Sequence, residues 1–253
     1  MLFSAKTATV LAIVAVCVCG PGGPLPARAQ GVVEAGKFSA MAPGGLPAGW
    51  APLTFRNIAA HTRYVLVAEG GATVLRADSK GEASGLVRRF ADGEVDLRAM
   101  PILRWRWKVS NLIQGADIGR KEGDDYPARV YVLFRYDPAR ASVAMRAQYA
   151  LARTVFGEAP PHATLNYVWD GRAPAGTMQP NAYTSRAMML VVESGAARVG
   201  LWVQAERNVL EDYRRAFGED LPPVAGIAVM TDTDQTGEGV TAWYGDIGLH
   251  APR

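Results

Sequence analysis

The sequence is poor in the residues that build the commonest catalytic and metal centres. It has two cysteines and three histidines in 253 residues. Cys17 and Cys19 both fall near the start, so the remaining chain has no thiol for a nucleophile, a disulfide framework or a structural zinc site. His61, His162 and His250 are scattered and lack metal-ligand spacing. There is no glycine-rich phosphate loop, no His-Glu-x-x-His helix and no Gly-x-Ser-x-Gly elbow. Neither sign of charge dominates: 27 Lys and Arg stand against 24 Asp and Glu. That balance argues against nucleic acid as a partner, which needs a basic patch. Internal repeats are also missing, which excludes solenoids and propellers.

The only strongly apolar stretch lies at the N-terminus. Lys6 precedes an apolar run from Val10 to Val18, and Ala27-Arg28-Ala29 makes a small-x-small cleavage site before Gln30. This is the pattern of a secretory signal peptide over residues 1–29. The run falls short of the roughly 20 apolar residues that span a bilayer. The sequence therefore predicts a periplasmic or secreted protein with no membrane span once the signal is cleaved. Cleavage removes Lys6, Arg28 and no acid, which leaves a net charge of +1. Residues 30–49, rich in Gly, Ala and Pro, read as a flexible mature N-terminus. Residues 50–253 read as a single domain.

Short runs of β-type residues fill that domain. They are Leu53–Ile58, Thr62–Glu69, Ala72–Ala77, Ser84–Phe90, Ile102–Val109, Ala128–Tyr136, Thr164–Trp169, Ala187–Glu193, Val199–Ala205, Ala225–Met230 and Thr241–Leu249. Glu69-Gly70-Gly71 reads as a tight hairpin turn. Two segments break the pattern with helical spacing, Arg140–Phe156 and Glu206–Phe217, each followed by glycine. The predicted fold is all-β: an antiparallel β-sandwich of jelly-roll type with two helical insertions. Ser110–Pro127, Asp170–Ser185 and Thr231–Val240 are long or oxygen-rich connections, the usual location of binding groups.

Four constellations carry chemistry. Arg104-Trp105-Arg106-Trp107-Lys108 alternates, so in a strand the two Trp share one face and the cations the other. Either the Trp pair is core and the cations are solvated, or the pair lines a sheet and stacks on a ligand. Asp124 and Asp125 adjoin the strand that begins near Arg129. They either cap a turn and pair with Arg129 or hold a hard cation. Asp232-Thr233-Asp234-Gln235-Thr236-Gly237 repeats the first half of a calcium loop, but its twelfth position is Trp243 where a bidentate Glu belongs. It is not an EF-hand, and a cation there needs a carboxylate from elsewhere, such as Asp246 or Asp124. Asn166-Tyr167-Val168-Trp169 mixes amide and aromatic groups at a strand end.

Trp-Arg-Trp-Lys-Val (105–109), Gly-Asp-Asp-Tyr-Pro-Ala-Arg-Val-Tyr-Val-Leu-Phe (123–134), Leu-Asn-Tyr-Val-Trp (165–169) and Gly-Ile-Ala-Val-Met-Thr-Asp-Thr-Asp (226–234) resemble a bacterial family catalogued as domain of unknown function 3047. The resemblance runs from about Trp50 to Leu249 and implies no activity or catalytic residue; the signal fits the family's exported members. Leu-Pro-Ala-Gly-Trp (46–50) and Ala-Trp-Tyr-Gly-Asp-Ile-Gly-Leu (242–249) look like the first and last segments of carbohydrate-binding jelly rolls. That likeness implies a structural Ca2+ at Asp246, joined here by Asp232 and Asp234.

The expectation is a non-catalytic protein that binds a glycan or another cell-envelope component. Trp105, Trp107 and Trp169 would stack, and Asp124, Asp125, Arg129, Asn166 and Asp232 would bind hydroxyls. Two alternatives stand beside it. One is a carbohydrate-active enzyme with a carboxylate pair drawn from Asp124, Asp125, Glu193, Glu206 and Asp232. The other is an envelope assembly protein that docks through its second helix.

Overall fold

The computed structural model describes residues 31–55, 58–138, 141, 143, 146 and 161–253. The helix expected over Arg140–Phe156 and the signal peptide expected over residues 1–29 lie outside the described residues, apart from three positions of the former.

Among the described residues, fourteen strands form two seven-stranded sheets. In chain order they are β1 (Val32–Gly36), β2 (Ala51–Leu53), β3 (Arg63–Glu69), β4 (Ala72–Lys80), β5 (Ala83–Arg89), β6 (Ile102–Val109), β7 (Arg129–Phe134), β8 (Ala163–Asp170), β9 (Met178–Asn181), β10 (Thr184–Ser194), β11 (Val203–Asn208), β12 (Val224–Asp232), β13 (Gly239–Tyr244) and β14 (Ile247–His250). The first sheet runs β1-β14-β6-β13-β4-β3, with β11 also paired to β6. The second runs β2-β5-β12-β7-β8-β10-β9. The all-β sandwich expected from the strand count is the observed class. It departs from a purely antiparallel design at one place: β8 and β10 pair in parallel. The connection 170–185 has to cross over to allow this, and it contributes β9 on the way.

Alternation decides which side chains meet. Leu103, Trp105, Trp107 and Val109 point from β6 into the sandwich, and Val130, Val132 and Phe134 do so from β7. Leu165, Tyr167 and Trp169 enter from β8, and Ile227 and Val229 from β12. The aromatic rings of the two sheets interlock. Trp105 and Trp107 meet edge to face at 5.3 Å, Trp105 lies 5.4 Å from Tyr167, and Trp107 lies 6.1 Å from Trp169. These separations are those of favourable ring pairs.

Three local expectations are corrected. The described part of the expected flexible segment 30–49 holds structure: Val32, Val33, Glu34 and Gly36 pair as an edge strand with β14, and Phe38 packs at 5.5 Å on Trp50 in the core. The second helix is shorter than expected. Residues 206–208 continue β11 because Glu206, Arg207 and Asn208 keep register with β6. The helix α1 (Val209–Phe217) starts where the Asn208 side chain accepts the Glu211 N–H, and Gly218 ends it at φ 62°. The last expected strand is split. β13 and β14 pair with the same strand, β6, but the pairing shifts by one residue across Gly245-Asp246, which makes a β-bulge. The Gly70-Gly71 turn is as expected, with both residues at positive φ as a tight hairpin requires.

Candidate functional site

The three long connections converge at one end of the sandwich. Glu238 accepts the N–H groups of Gln114 and Gly115 at 3.0 and 2.7 Å. Asp125 accepts those of Gln235 and Thr236. The Gln179 amide donates to the Ile118 carbonyl at 2.9 Å, Arg172 donates to the Gln114 carbonyl, and Asn181 donates to Asp124 at 3.0 Å.

At the centre of this convergence lies Arg129. It points away from the sandwich interior on β7, yet its side chain is only 4% exposed because the loops cover it. The guanidinium grips Asp232 with two hydrogen bonds, one of them Nε to Oδ1 at 2.8 Å. It also donates to the Asp124 carbonyl and, at 3.4 Å, to the Asp124 carboxylate, while the Tyr126 ring lies 4.3 Å away. Asn166, beside Tyr131 and Met189 in the sheet register, connects through Met189 and Asn181 to Asp124. Its Oδ1 and the Tyr126 hydroxyl are buried without a hydrogen-bond partner. The sequence-predicted group Asp124, Asp125, Arg129, Asn166 and Asp232 is therefore real as a cluster.

Its chemistry is that of a buried clasp. Carboxylate oxygens of Asp125, Asp232 and Asp234 lie within 4.8 Å of one another, so these three are the residues able to hold a cation. A fixed cation is already there, because Arg129 engages both oxygens of Asp232. Burial raises the Asp125 carboxyl. Burial also pushes Asp232 up, to about 8, against the pull of Arg129 and with help from Asp125 and Asp124. One guanidinium does not neutralise this many crowded carboxylates out of water.

The remaining predicted residues go elsewhere. Trp105, Trp107 and Trp169 are 4%, 0% and 0% exposed and belong to the core, so they offer no stacking platform. The reason is the alternation itself: the face of β6 that carries Trp is the face turned toward β8. Asp246 is not near Asp232 and Asp234. It sits at the bulge of the first sheet, where its carboxylate accepts the Ser39 N–H at 2.8 Å and the Ser39 hydroxyl at 2.5 Å, 3.5 Å from Lys37 Nζ. Of the other acids considered for an enzyme, Glu193 lies 3.5 Å from Arg198 and Glu206 2.6 Å from Arg104. Among the candidate acids, then, Asp124, Asp125 and Asp232 gather around Arg129, with Asp125 and Asp232 fully buried.

The accessible chemistry lies on the outer face of the first sheet. Arg104, Arg106 and Lys108 project there from β6. Lys108 Nζ lies 4.2 Å from the Trp243 ring centre and 5.4 Å from that of Trp202. The Arg106 guanidinium lies 4.6 Å from the Trp202 ring, and that of Arg76 6.0 Å from Trp243. Cation–π contacts thus hold two indoles and three cations in one array. Open cavities flank the array. One of about 470 Å3 is lined by Arg63, Asp78, Lys80, Asn111 and Thr241 among others. The second, of about 370 Å3, is lined by Glu34, Lys37, Arg104, Arg106, Asp246 and His250 among others. From Arg104 to Ser110 the face extends along β6 for roughly 20 Å at the usual strand rise.

A model of the family described as protein of unknown function (DUF3047) matches residues 48–248. The chain belongs to the DUF3047 family. No curated protein matches it significantly. Among solved structures it is similar to the K2 cleaved adhesin domain of Lys-gingipain, at 12% identity, TM-score 0.40 and coverage of 87% of this chain and 99% of the other. It is also similar to the family 11 carbohydrate-binding module of Clostridium thermocellum in complex with a mixed-linked tetrasaccharide (10%, 0.39, 87% and 96%). A third is the family GH12 endoglucanase 3 of Trichoderma harzianum (7%, 0.40, 88% and 98%). Likeness at this level does not decide function.

For this DUF3047 protein, sequence reasoning missed Trp202, Trp243 and Arg76 as members of an accessible array. The usable signal was there for two of them. Trp243 alternates with the core residues Ala242 and Tyr244, and Arg76 with Leu75 and Ala77. Each therefore faces the same side as the β6 cations once register is known.

Proposed function

We propose that this DUF3047 protein is an exported, non-catalytic binding protein for a cell-envelope glycan, and that the ligand lies along β6 on the outer face of the first sheet. The observation that carries the reading is the array of Trp202, Trp243, Arg106, Lys108 and Arg76 between two open cavities. Indoles contact the C–H faces and edges of sugar rings, and the intervening Arg and Lys donate to hydroxyl oxygens. An array held in place before the ligand arrives loses little conformational freedom on binding. Asp124, Asp125, Arg129 and Asn166 serve this function indirectly, by clasping the loops at the end of the sandwich.

The test is a titration of intrinsic tryptophan fluorescence with a panel of envelope and plant glycans. A saturable change with one glycan class is expected, and Trp243→Ala and Trp202→Ala should each weaken it at least tenfold while melting near the wild type. Unchanged affinity in both variants would remove the outer face from the site.

A further inference from the structure

We infer that the cavity at the β13–β14 bulge is an anion-reading subsite, so that the glycan taken by this protein carries negatively charged groups: carboxylate, sulfate or phosphate. The inference rests on the proposed glycan face and adds the charge of its ligand.

The evidence is the unequal pairing of the cations on this face, three from β6 and Arg76 from β4. Arg104 is bound by Glu206 at 2.6 Å, Lys108 is paired with Glu69, and Arg76 lies 2.7 Å from Asp78. Arg106 has no carboxylate and no hydrogen-bond acceptor for its guanidinium among the described residues. It is held by other means. Its plane is kept 4.6 Å from the Trp202 ring. Its stem lies across Gly245, where a β-carbon would come within 2.4 Å of the Arg106 Cγ and Nε. The bulge and the missing side chain at 245 thus make the space that Arg106 occupies. Bulges commonly re-aim side chains beside functional sites.

The result is a positioned arginine with its hydrogen-bonding donors unspent, among the residues that line a cavity of about 370 Å3. Of the three cations that line that cavity, Lys37 lies 3.5 Å from Glu34 and from Asp246 and Arg104 is bound by Glu206, which leaves Arg106 as the one without a carboxylate among the described residues. Asp246 is itself occupied by the Ser39 N–H and hydroxyl. Such a cavity favours an anionic group over a neutral hydroxyl, because the planar fork of Arg meets two oxygens of a carboxylate or ester at once. Its volume suits a single sugar unit and its substituent.

The experiment compares charged and neutral polymers on the same backbone: dextran sulfate with dextran, and polygalacturonate with its methyl ester. Binding by wild-type protein is measured with Arg106→Gln, Arg106→Lys and, as an exposed control away from the cavity, Arg98→Gln. The expected result is at least tenfold tighter binding of a charged polymer than of its neutral partner, weakening with added salt. Arg106→Gln should abolish the difference, Arg106→Lys should restore only part of it, and Arg98→Gln should leave it unchanged. Preference for dextran sulfate over polygalacturonate would assign the group as a sulfate ester, and the reverse as a uronate. Neutral and charged polymers bound equally well would overturn the inference and leave the glycan reading standing, as would a preference that survives Arg106→Gln. No binding to any polymer would overturn both. Should Arg106→Gln melt far below the wild type, Gly245→Ala decides: it displaces the guanidinium without removing its charge and is expected to reduce the preference at least fivefold.

Discussion

Trp107→Ala separates the two sets of tryptophans by energy. Trp107 is fully buried, wedged between Trp105 at 5.3 Å and Trp169 at 6.1 Å. A buried indole removes about 150–250 Å2 from water, worth roughly 4–6 kcal/mol at about 25 cal/mol per Å2. Its Nε1 has no hydrogen-bond partner, which offsets about 1–3 kcal/mol of that gain. Loss of two ring contacts and the cavity left behind act in the other direction, so the expected cost is about 3–5 kcal/mol. For a domain of this size that lowers Tm by about 10–15 °C. Trp107→Phe keeps a ring in place and deletes the unpartnered N–H, so it should cost only about 1–2 kcal/mol. Trp243→Ala, on the outer face, should cost under about 1 kcal/mol. Urea and thermal unfolding of the three variants measure these values. A Trp107→Ala protein that melts within 2 °C of the wild type, by less than about 1 kcal/mol, would refute the core assignment. So would a Trp243→Ala protein as damaged as Trp107→Ala.

The clasp at the loop end makes further predictions. Above about pH 8, where Asp232 is ionised, Asp232→Ala strands a buried guanidinium and should destabilise by about 3–5 kcal/mol, whereas Asp232→Leu combined with Arg129→Met should recover most of that loss; equal stability of the single and double variants there would show that the pair is not coupled. Because Arg129 already supplies the positive charge among Asp125, Asp232 and Asp234, chelation with EDTA should leave Tm unchanged, and a fall of several degrees reversed by Ca2+ would instead place a cation at those three residues. Stability should also depend on pH, through two carboxyl groups shifted in opposite directions. The Asp232 carboxyl is raised to about 8, so folding takes up a proton between about pH 4 and 8, and that contribution is full at low pH and lost as pH rises through 8. Burial alone would raise Glu219, but hydrogen bonds from Arg186, Tyr213 and His162 hold it down to about 2, so its contribution is present above its ordinary 4.5 and lost as pH falls toward 2. Thermal melts of wild type and Asp232→Asn across this range check the first sign, and loss of the downward slope between about pH 4 and 8 only in the variant is the expected outcome.

Most of the sandwich was legible in the sequence because period-two alternation is a local signal. Ile102–Val109 reads the same from sequence and structure. β9 was hidden because Met178-Gln179-Pro180-Asn181 has little strand character and pairs only at an edge. β1 was hidden by the glycine and proline that follow it. The cluster at Arg129 was legible in part, since Asp124 and Asp125 adjoin it in sequence and Asp232 was singled out by its own loop. What alternation left open was the sign of each face: it placed Trp105 and Trp107 together and left undecided whether their side was inside or outside. The register of β11 and β13 on β6, and of β4 on β13, decides that, and it depends on pairings between residues far apart in the chain. Trp202 and Trp243 became members of one array only through the same long-range register.

The most direct test of the binding face uses the six indole N–H resonances as separate reporters. In a 1H–15N NMR titration with the glycan that gives a fluorescence response, the signals of Trp202 and Trp243 should move and saturate together. Those of Trp105, Trp107 and Trp169, closed inside the sandwich, should stay within the scatter of the unliganded spectrum, and Trp50 with them. Movement confined to the buried tryptophans, with Trp202 and Trp243 fixed, would contradict the account and return the site to the interior or to the loop end.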